Sequence, residues 1–320
     1  MDGYVSRALD LAPLLEKNTV FLFGPRQTGK SSYVHQQLGE IVDRTYNLLD
    51  QGPLGGRGRD RVMRPLTWHE LGPEFDLLRA FRRGLIPSHY LAEDPEDALD
   101  SYVGRYLTEE IAAEGLARNI PDFSRFLTAA TVCNAQEVVF AAVASDAGLA
   151  RQTVLSWFNI LEETLLGEQV QAWTKTVKRN AIERAKFYLF DLGVVRALRG
   201  FPVVTGGSAD FGPFFEHFVY MELAAWRDYR SPRSALNYWR STSGFEVDFI
   251  LANHTALEVK ATVRVDDRDL RGLRALKEEG LLARYVVVCR EATARLTKDG
   301  IEILPWQEFL GELWNKASLS

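Results

Sequence analysis

The residues best suited to chemistry are the eight that read GPRQTGKS and fit the pattern G-x-x-x-x-G-K-[ST]. In such a loop the glycines let backbone N–H groups surround phosphates, and the following helix directs its positive end at them. We expect Lys30 to reach the terminal phosphates of a nucleotide and the Ser31 hydroxyl to hold Mg²⁺. The predicted binding residues are Gly24, Pro25, Arg26, Gln27, Thr28, Gly29, Lys30 and Ser31.

The sequence on either side supports this prediction. Residues 19–23 (TVFLF) form a continuous apolar run that is typical of a buried strand, and a helical pattern starts near Lys30. Strand, loop and helix therefore follow one another as a phosphate-binding loop requires.

Hydrolysis needs more than this loop, because an acid on a second strand must hold the metal and orient water. Two apolar runs end in a single Asp, residues 46–50 (YNLLD) and 187–191 (FYLFD). We interpret the first as an ordinary second strand and the second as a strand of another domain. Neither ends in an acidic pair, so we expect hydrolysis to be absent or very slow unless an oligomer supplies an acid in trans.

A second group of reactive side chains lies near the C-terminus. Alternation along two predicted strands places Glu246 and Asp248 on one face, and Glu258 and Lys260 on one face of the next strand. A turn at 253–254 would bring these faces together, and a preceding helix adds Glu216. The order helix, three strands, helix, strand predicts a restriction-endonuclease-like fold.

Two interpretations of this cluster stay open at the level of sequence. In the first, Asp248 and Glu258 bind Mg²⁺, and Glu216, Asp248, Glu258 and Lys260 together cleave a phosphodiester. In the second, Lys260 is an internal counter-ion and the cluster is structural. Alternating charges on a strand do not by themselves require chemistry, which slightly favours the second interpretation.

The middle of the chain has the spacing of a helix-turn-helix. Residues 137–166 predict a helix, a tight turn at 145–148, and a second helix that opens with Ala150, Arg151, Gln152 and Thr153, where a DNA-recognition helix faces the major groove. A basic cluster that could hold backbone phosphates follows: Lys175, Lys178, Arg179, Arg184 and Lys186. The alternative is a winged-helix-like unit that packs only against protein.

Composition sets the limits on function. Among 320 residues, 38 Lys and Arg against 43 Asp and Glu give a net charge of −5, which excludes a uniformly basic nucleic-acid coat. Two distant cysteines, Cys133 and Cys289, form neither a disulfide framework nor a thiolate zinc site. No apolar run approaches the roughly 20 residues of a membrane span, and the first residues do not resemble a signal peptide. We expect a cytoplasmic protein without membrane partners.

Breaks in the pattern divide the chain into three predicted domains of an α/β protein. Residues 1–66 form a truncated P-loop nucleotide-binding core, in which 6–16 have helical spacing and 51–65 read as loop with at most a short strand at 61–63. Residues 67–205 form a helical and winged-helix-like region. A Gly-rich stretch at 206–213 opens the restriction-endonuclease-like domain of residues 206–320.

Several blocks together resemble the prokaryotic AAA-type ATP-binding proteins that carry a C-terminal domain of unknown function. The resemblance covers nearly the whole chain, in the order FGPRQTGKS (23–31), RPLTWHELG (64–72), YVGRYLTEEI…GLARN (102–119), FYLFDLGVVRAL (187–198), FFEHFVYMEL (214–223), YWRSTSGFEVDFI (238–250) and LEVKAT (257–262). It implies ATP with Mg²⁺ as ligand, held by Lys30 and Ser31.

This sequence departs from the family pattern after residue 50. The family has a long stretch there that carries the acidic-pair strand, whereas here residues 55–57 follow residue 50 almost directly. The ATPase core therefore looks internally truncated, and no residue of this sequence matches the one that orients water in the family. The leading prediction is a P-loop ATP-binding protein with a nuclease-like C-terminal domain. The alternatives are a DNA-interaction module without catalysis and a Mg²⁺-dependent nuclease, and the sequence leaves the oligomeric state open.

Overall fold

The computed structural model describes residues 4–39, 41–42, 58–107 and 119–316. Over these residues the protein is a mixed α/β structure with three sheets, of two, three and six strands. The predicted second strand at 46–50 lies outside the described residues.

The N-terminal sheet carries the phosphate-loop motif. Strand β1 (Thr19–Phe23) precedes helix α2 (Lys30–Gln37), as the sequence predicts, and pairs in parallel with β2 (Gly58–Val62). The helix predicted over 6–16 is wrong for most of its length, because only α1 (Ala12–Leu15) is helical. Pro13 lies in the first turn of α1, and proline favours the start of a helix over its interior.

Short helices connect this sheet to the middle of the chain. They are α3 (Trp68–Leu71), α4 (Leu77–Arg83), α5 (Pro87–Tyr90) and α6 (Pro95–Ser101), with a 3₁₀ turn at Gly72–Glu74 and a π-helical turn at Tyr102–Leu107. All four of these α-helices begin with an Asp or Thr cap, with Pro in the first turn, or with both, which explains why the predicted helical region is broken into pieces between residues 68 and 101.

The middle of the chain has three longer helices and a small antiparallel sheet. The elements are α7 (Ile120–Val132), β3 (Gln136–Glu137), α8 (Phe140–Ala147), α9 (Arg151–Glu163), β4 (Gly167–Val170) and β5 (Lys186–Leu189), with the strand order β3-β5-β4. The predicted turn between α8 and α9 is confirmed, with Gly148 in the left-handed conformation. Helix α10 (Leu192–Leu198) follows β5.

The C-terminal part is a mixed six-stranded sheet with three helices. Its elements are α11 (Phe211–Arg230), β6 (Leu236–Arg240), β7 (Glu246–Leu251), β8 (Thr255–Val259), α12 (Arg271–Lys277), β9 (Arg284–Cys289), β10 (Arg295–Leu296), β11 (Glu302–Pro305) and α13 (Trp306–Asn315). The strand order is β10-β11-β9-β8-β7-β6, and β9 is parallel to both β8 and β11. The predicted order of helix, three strands, helix and strand is confirmed.

Helix α11 is the central support of the fold. Thirteen of its twenty residues are buried, and its apolar side chains join one core cluster that runs from Leu66 to Trp314. That core spans the predicted boundary at 206–213. Both cysteines are free thiols, and in the described part of the chain no helix is long and apolar enough to cross a membrane.

Candidate functional site

The loop between β1 and α2 has the backbone that its glycines predict. Gly24 has φ 141° and Gly29, the residue before α2, has φ 90°. A Cβ atom on Gly24 would lie 2.3 Å from the carbonyl oxygen of Met63, so only glycine fits this approach to the residue after β2. Gln27 also has positive φ, at 57°, and completes a loop that turns back on itself.

Lys30 lies over the inside of this loop. Its Nζ atom donates hydrogen bonds to the carbonyl oxygens of Gly24 at 2.6 Å and Pro25 at 2.7 Å. Thr28 is fully buried, and its hydroxyl donates to the Pro25 carbonyl at 2.7 Å. Ser31 is exposed in the first turn of α2. An ammonium group and a helix N-terminus thus lie at the same end of the loop, an arrangement that attracts anions.

A further residue, Arg7, contacts the loop and could not be found from the sequence pattern. Its guanidinium group donates to the Thr28 carbonyl at 2.5 Å and forms a salt bridge with Glu70 at 3.0 Å. Helical spacing over 6–16 gave no indication of this contact, which buries Arg7 until only 6% of it is exposed.

The described strand beside β1 carries no acid at its carboxyl end. Strand β2 is followed by Met63 and Arg64, and the Arg64 side chain binds Asp228 at 2.7 Å and Glu168 at 2.8 Å. The other single acid considered from sequence, Asp191, is fully buried and caps α10 by accepting from the N–H groups of Gly193 and Val194. Asp191 therefore stabilises a helix.

The carboxylates predicted to converge near the C-terminus do lie close together. Lys186 of β5, which is 3% exposed, binds Glu246 at 2.7 Å, Glu216 at 3.2 Å and Asp248 at 3.5 Å. Asp248 also accepts from the N–H group of Val259 at 2.8 Å. The cation among these acids is therefore Lys186, where the sequence had suggested Lys260.

Glu258 and Lys260 form a separate pair beside this group, with their charged atoms 2.6 Å apart. Burial and the neighbouring Asp248 raise the pKa of Glu258 well above its usual range, and burial raises that of Glu216 to about 7 against the effect of Lys186. Although burial opposes it, the surrounding carboxylates raise the pKa of Lys186 well above its usual range. Within the described residues, no group of three or more His, Cys, Asp or Glu is arranged to hold a metal ion.

The helix-turn-helix presents a polar face to solvent. On α9 the exposed residues include Arg151, Gln152, Ser156 and Asn159, while Val154, Trp157, Phe158 and Leu161 are buried. The predicted second helix is confirmed, and its exposed and buried residues lie on different faces.

The basic cluster after α9 is largely bound to acids of the chain itself. The proposal of phosphate binding is wrong for Lys186, whose charge is buried among carboxylates. Arg179 binds Glu278 at 2.6 Å, and the N–H groups of Val177 and Lys178 donate to Glu279. The segment between β4 and β5 therefore packs on the C-terminal part, with Trp173 bonded to Asn253 at 2.9 Å.

Two family models match this chain. Residues 211–309 match a domain of unknown function (DUF4143). Residues 74–204 match another domain of unknown function (DUF8612). No curated protein and no solved structure matches the chain. The match over residues 211–309 supports one part of the resemblance described above, the C-terminal domain of unknown function. The ATP-binding core stays a prediction.

Proposed function

We propose that this protein binds ATP with Mg²⁺ through residues 24–31. The observation that carries the proposal is the position of Lys30, whose ammonium group lies over two loop carbonyls next to the N-terminus of α2. A bound phosphate offers this ammonium group stronger, charged acceptors than the two carbonyls. Ser31 is exposed in the first turn of α2, and its hydroxyl would hold Mg²⁺, as in other loops of this pattern.

The backbone of the loop supports the same function. The angle φ is positive at Gly24, Gln27 and Gly29, and loops with such left-handed residues form concave backbone segments that bind anions. The positive end of the α2 dipole adds to this site. The left-handed conformation is strained for a residue other than glycine, such as Gln27, and strained residues of this kind concentrate at ligand sites.

Calorimetric titration of Mg²⁺–ATP tests the proposal. Lys30→Ala removes a charged contact, and such contacts contribute roughly 1.5–3 kcal/mol each, so the affinity should fall about tenfold or more. Lys298→Ala is the matched control, because it removes an exposed lysine from the C-terminal part. Equal affinities for the unmodified protein and Lys30→Ala contradict the proposal.

We also propose that ATP is held without efficient hydrolysis. Strand β2 ends at Val62 and is followed by Met63 and Arg64, so its carboxyl end offers no acid to orient water. Most catalysis of phosphoryl transfer comes from positioning and electrostatics, which need such a group. Robust phosphate release that Lys30→Ala abolishes would overturn this part.

A second candidate function is contact with duplex DNA through α9. The exposed Arg151, Gln152, Ser156 and Asn159 are residue types that bind base edges and phosphates, and they lie along one helix face. Arg151→Ala should weaken the anisotropy change of a labelled duplex, whereas Arg125→Ala on α7 should not. Equal effects of the two variants would show that only general charge matters.

We propose that the carboxylate cluster near the C-terminus is structural. Its acids are divided between Lys186 and Lys260, whose ammonium groups neutralise the neighbouring carboxylates. We therefore propose that Glu216, Asp248, Glu258 and Lys260 stabilise the sheet and do not act as catalytic residues.

A further inference from the structure

Arg7 connects four separate segments of the chain through one guanidinium group. Its Nη1 atom donates to the Thr28 carbonyl in the phosphate loop at 2.5 Å. Its Nη2 atom donates to the carbonyl of Arg64 at 2.6 Å and to the hydroxyl of Tyr229 at 3.0 Å. Its Nε atom bonds Glu70 at 3.0 Å. Few side chains other than arginine can serve so many acceptors, because its five donors form a fixed planar fork.

Glu70 fixes the orientation of this fork. One of its carboxylate oxygens accepts from Arg7 and from the N–H group of Ala8 at 2.7 Å, and the other accepts from the N–H group of Thr67 at 2.9 Å. Thr67 in turn caps α3 through the N–H group of Glu70. The Arg7–Glu70 pair is almost fully buried, with 2% and 1% of the two side chains exposed. Its geometry is therefore set by the fold.

Tyr229 brings the last turn of α11 into the same network. Its hydroxyl accepts from Arg7 and from the N–H group of Arg64 at 2.9 Å, and it donates to the Arg64 carbonyl at 3.3 Å. The neighbouring Asp228 binds the Arg64 side chain. Arg64, whose neighbour Met63 lies against Gly24, is thus held by α11.

We propose that Arg7 is a positioning residue that holds the phosphate loop in its binding conformation, and that it links nucleotide occupancy to the last turn of α11 through Tyr229. This inference rests on the function proposed above. The link follows because the Thr28 carbonyl and the Tyr229 hydroxyl bind the same guanidinium group, so a shift of one acceptor changes the contacts of the other. Coupling of this kind is reciprocal. If bound nucleotide stabilises the last turn of α11, then contacts that stabilise this turn raise the affinity for nucleotide by the same factor.

The first experiment compares nucleotide affinities by calorimetry. Arg7→Met should lower the affinity for Mg²⁺–ATP about tenfold or more, and Arg7→Lys, which keeps the charge but not the fork, should recover part of it. Arg227→Met is the matched control, because Arg227 is an arginine of α11 with 14% of its side chain exposed that binds Glu168, and among the described residues none of its hydrogen bonds is to the loop. A merely structural role would lower the melting temperature of both methionine variants and leave the affinity of the folded protein unchanged.

The outcomes separate this inference from the proposed function. If Lys30→Ala loses affinity but Arg7→Met binds as the unmodified protein does, the positioning role is overturned and nucleotide binding stands. If Lys30→Ala also binds normally, both are overturned.

A second measurement keeps the inference testable if Arg7→Met does not fold. Tyr229→Phe keeps the ring and removes only the hydroxyl. Hydrogen exchange of the amides at 226–231 should slow at least tenfold when Mg²⁺–ATP saturates the unmodified protein. The slowing should be lost in Tyr229→Phe at the same saturation. Unchanged exchange in the unmodified protein, or equal slowing in both proteins, contradicts the link.

Discussion

Replacing Lys186 by methionine removes the ammonium group that contacts Glu216, Glu246 and Asp248 and leaves the volume of the side chain nearly unchanged. The three distances from its Nζ atom are 3.2, 2.7 and 3.5 Å, and the lysine is 3% exposed. Glu246 keeps a contact with Arg240 at 3.7 Å, whereas Glu216 and Asp248, which are both largely shielded from water, lose the lysine that neutralises them.

The expected cost follows from these distances. At an effective dielectric constant of about 20, unit charges about 3 Å apart attract by roughly 5 kcal/mol, and desolvation offsets much of this. Removal of one partner from a buried ion pair typically costs about 3–5 kcal/mol, and we expect Lys186→Met to fall in this range. The cost should shrink as the pH falls, because protonated carboxyl groups no longer need a counter-ion.

Urea denaturation at pH 7 and at pH 5 measures this cost, with Lys260→Met as the matched control. Lys260 is about one-third exposed and pairs with Glu258 alone, so its loss should cost less. Mn²⁺ should raise the melting temperature of Lys186→Met and leave that of the unmodified protein unchanged, since the ion then takes the place of the lysine. The reasoning is refuted if Mn²⁺ stabilises the unmodified protein as much, or if Lys186→Met costs less than about 1 kcal/mol.

The remaining predictions concern single residues. Burial raises the pKa of Glu222 from 4.5 to about 8, so the folded state keeps its proton to higher pH than the unfolded chain does. Its contribution to stability should be complete below about pH 4.5 and fall by about 5 kcal/mol between about pH 4.5 and pH 8, and urea titrations of Glu222→Gln should lack this dependence. Asp191→Ala should cost about 2–4 kcal/mol in the same assay, because two N–H groups of α10 and that of Leu85 lose their acceptor. Gly24→Ala should lower ATP affinity about tenfold or more by calorimetry, since its Cβ would meet the Met63 carbonyl, whereas Gly212→Ala, with open space around it, should not. Phosphate release with Mg²⁺–ATP should stay at background, and turnover that depends on Lys30 would contradict this.

The phosphate loop could be predicted because its signals are local. An apolar run of five residues, two glycines and a Lys-Ser pair lie within thirteen positions, and β1 and α2 form on either side of them. The same holds for α8 and α9, where Gly148 ends one helix and buried residues recur at helical spacing.

The partners of charged residues could not be predicted, because they are set by segments far apart in sequence. Lys186 lies in a basic run that suggested phosphate binding, yet its contacts come from α11 and β7, thirty or more positions away. Arg7 lies in a segment with helical spacing, but its acceptors are between 21 and 222 positions distant. Strands β10 and β11 were not predicted, since two to four residues give too little periodicity.

The most direct test of the central claim is a titration of the amide ¹H–¹⁵N signals of residues 24–31 with Mg²⁺–ATP. The account predicts saturable shifts that are largest at Gly29, Lys30 and Ser31, with the same titration of Lys30→Ala needing about tenfold more nucleotide. No shift in this loop, or saturable shifts confined to other parts of the chain, would contradict it.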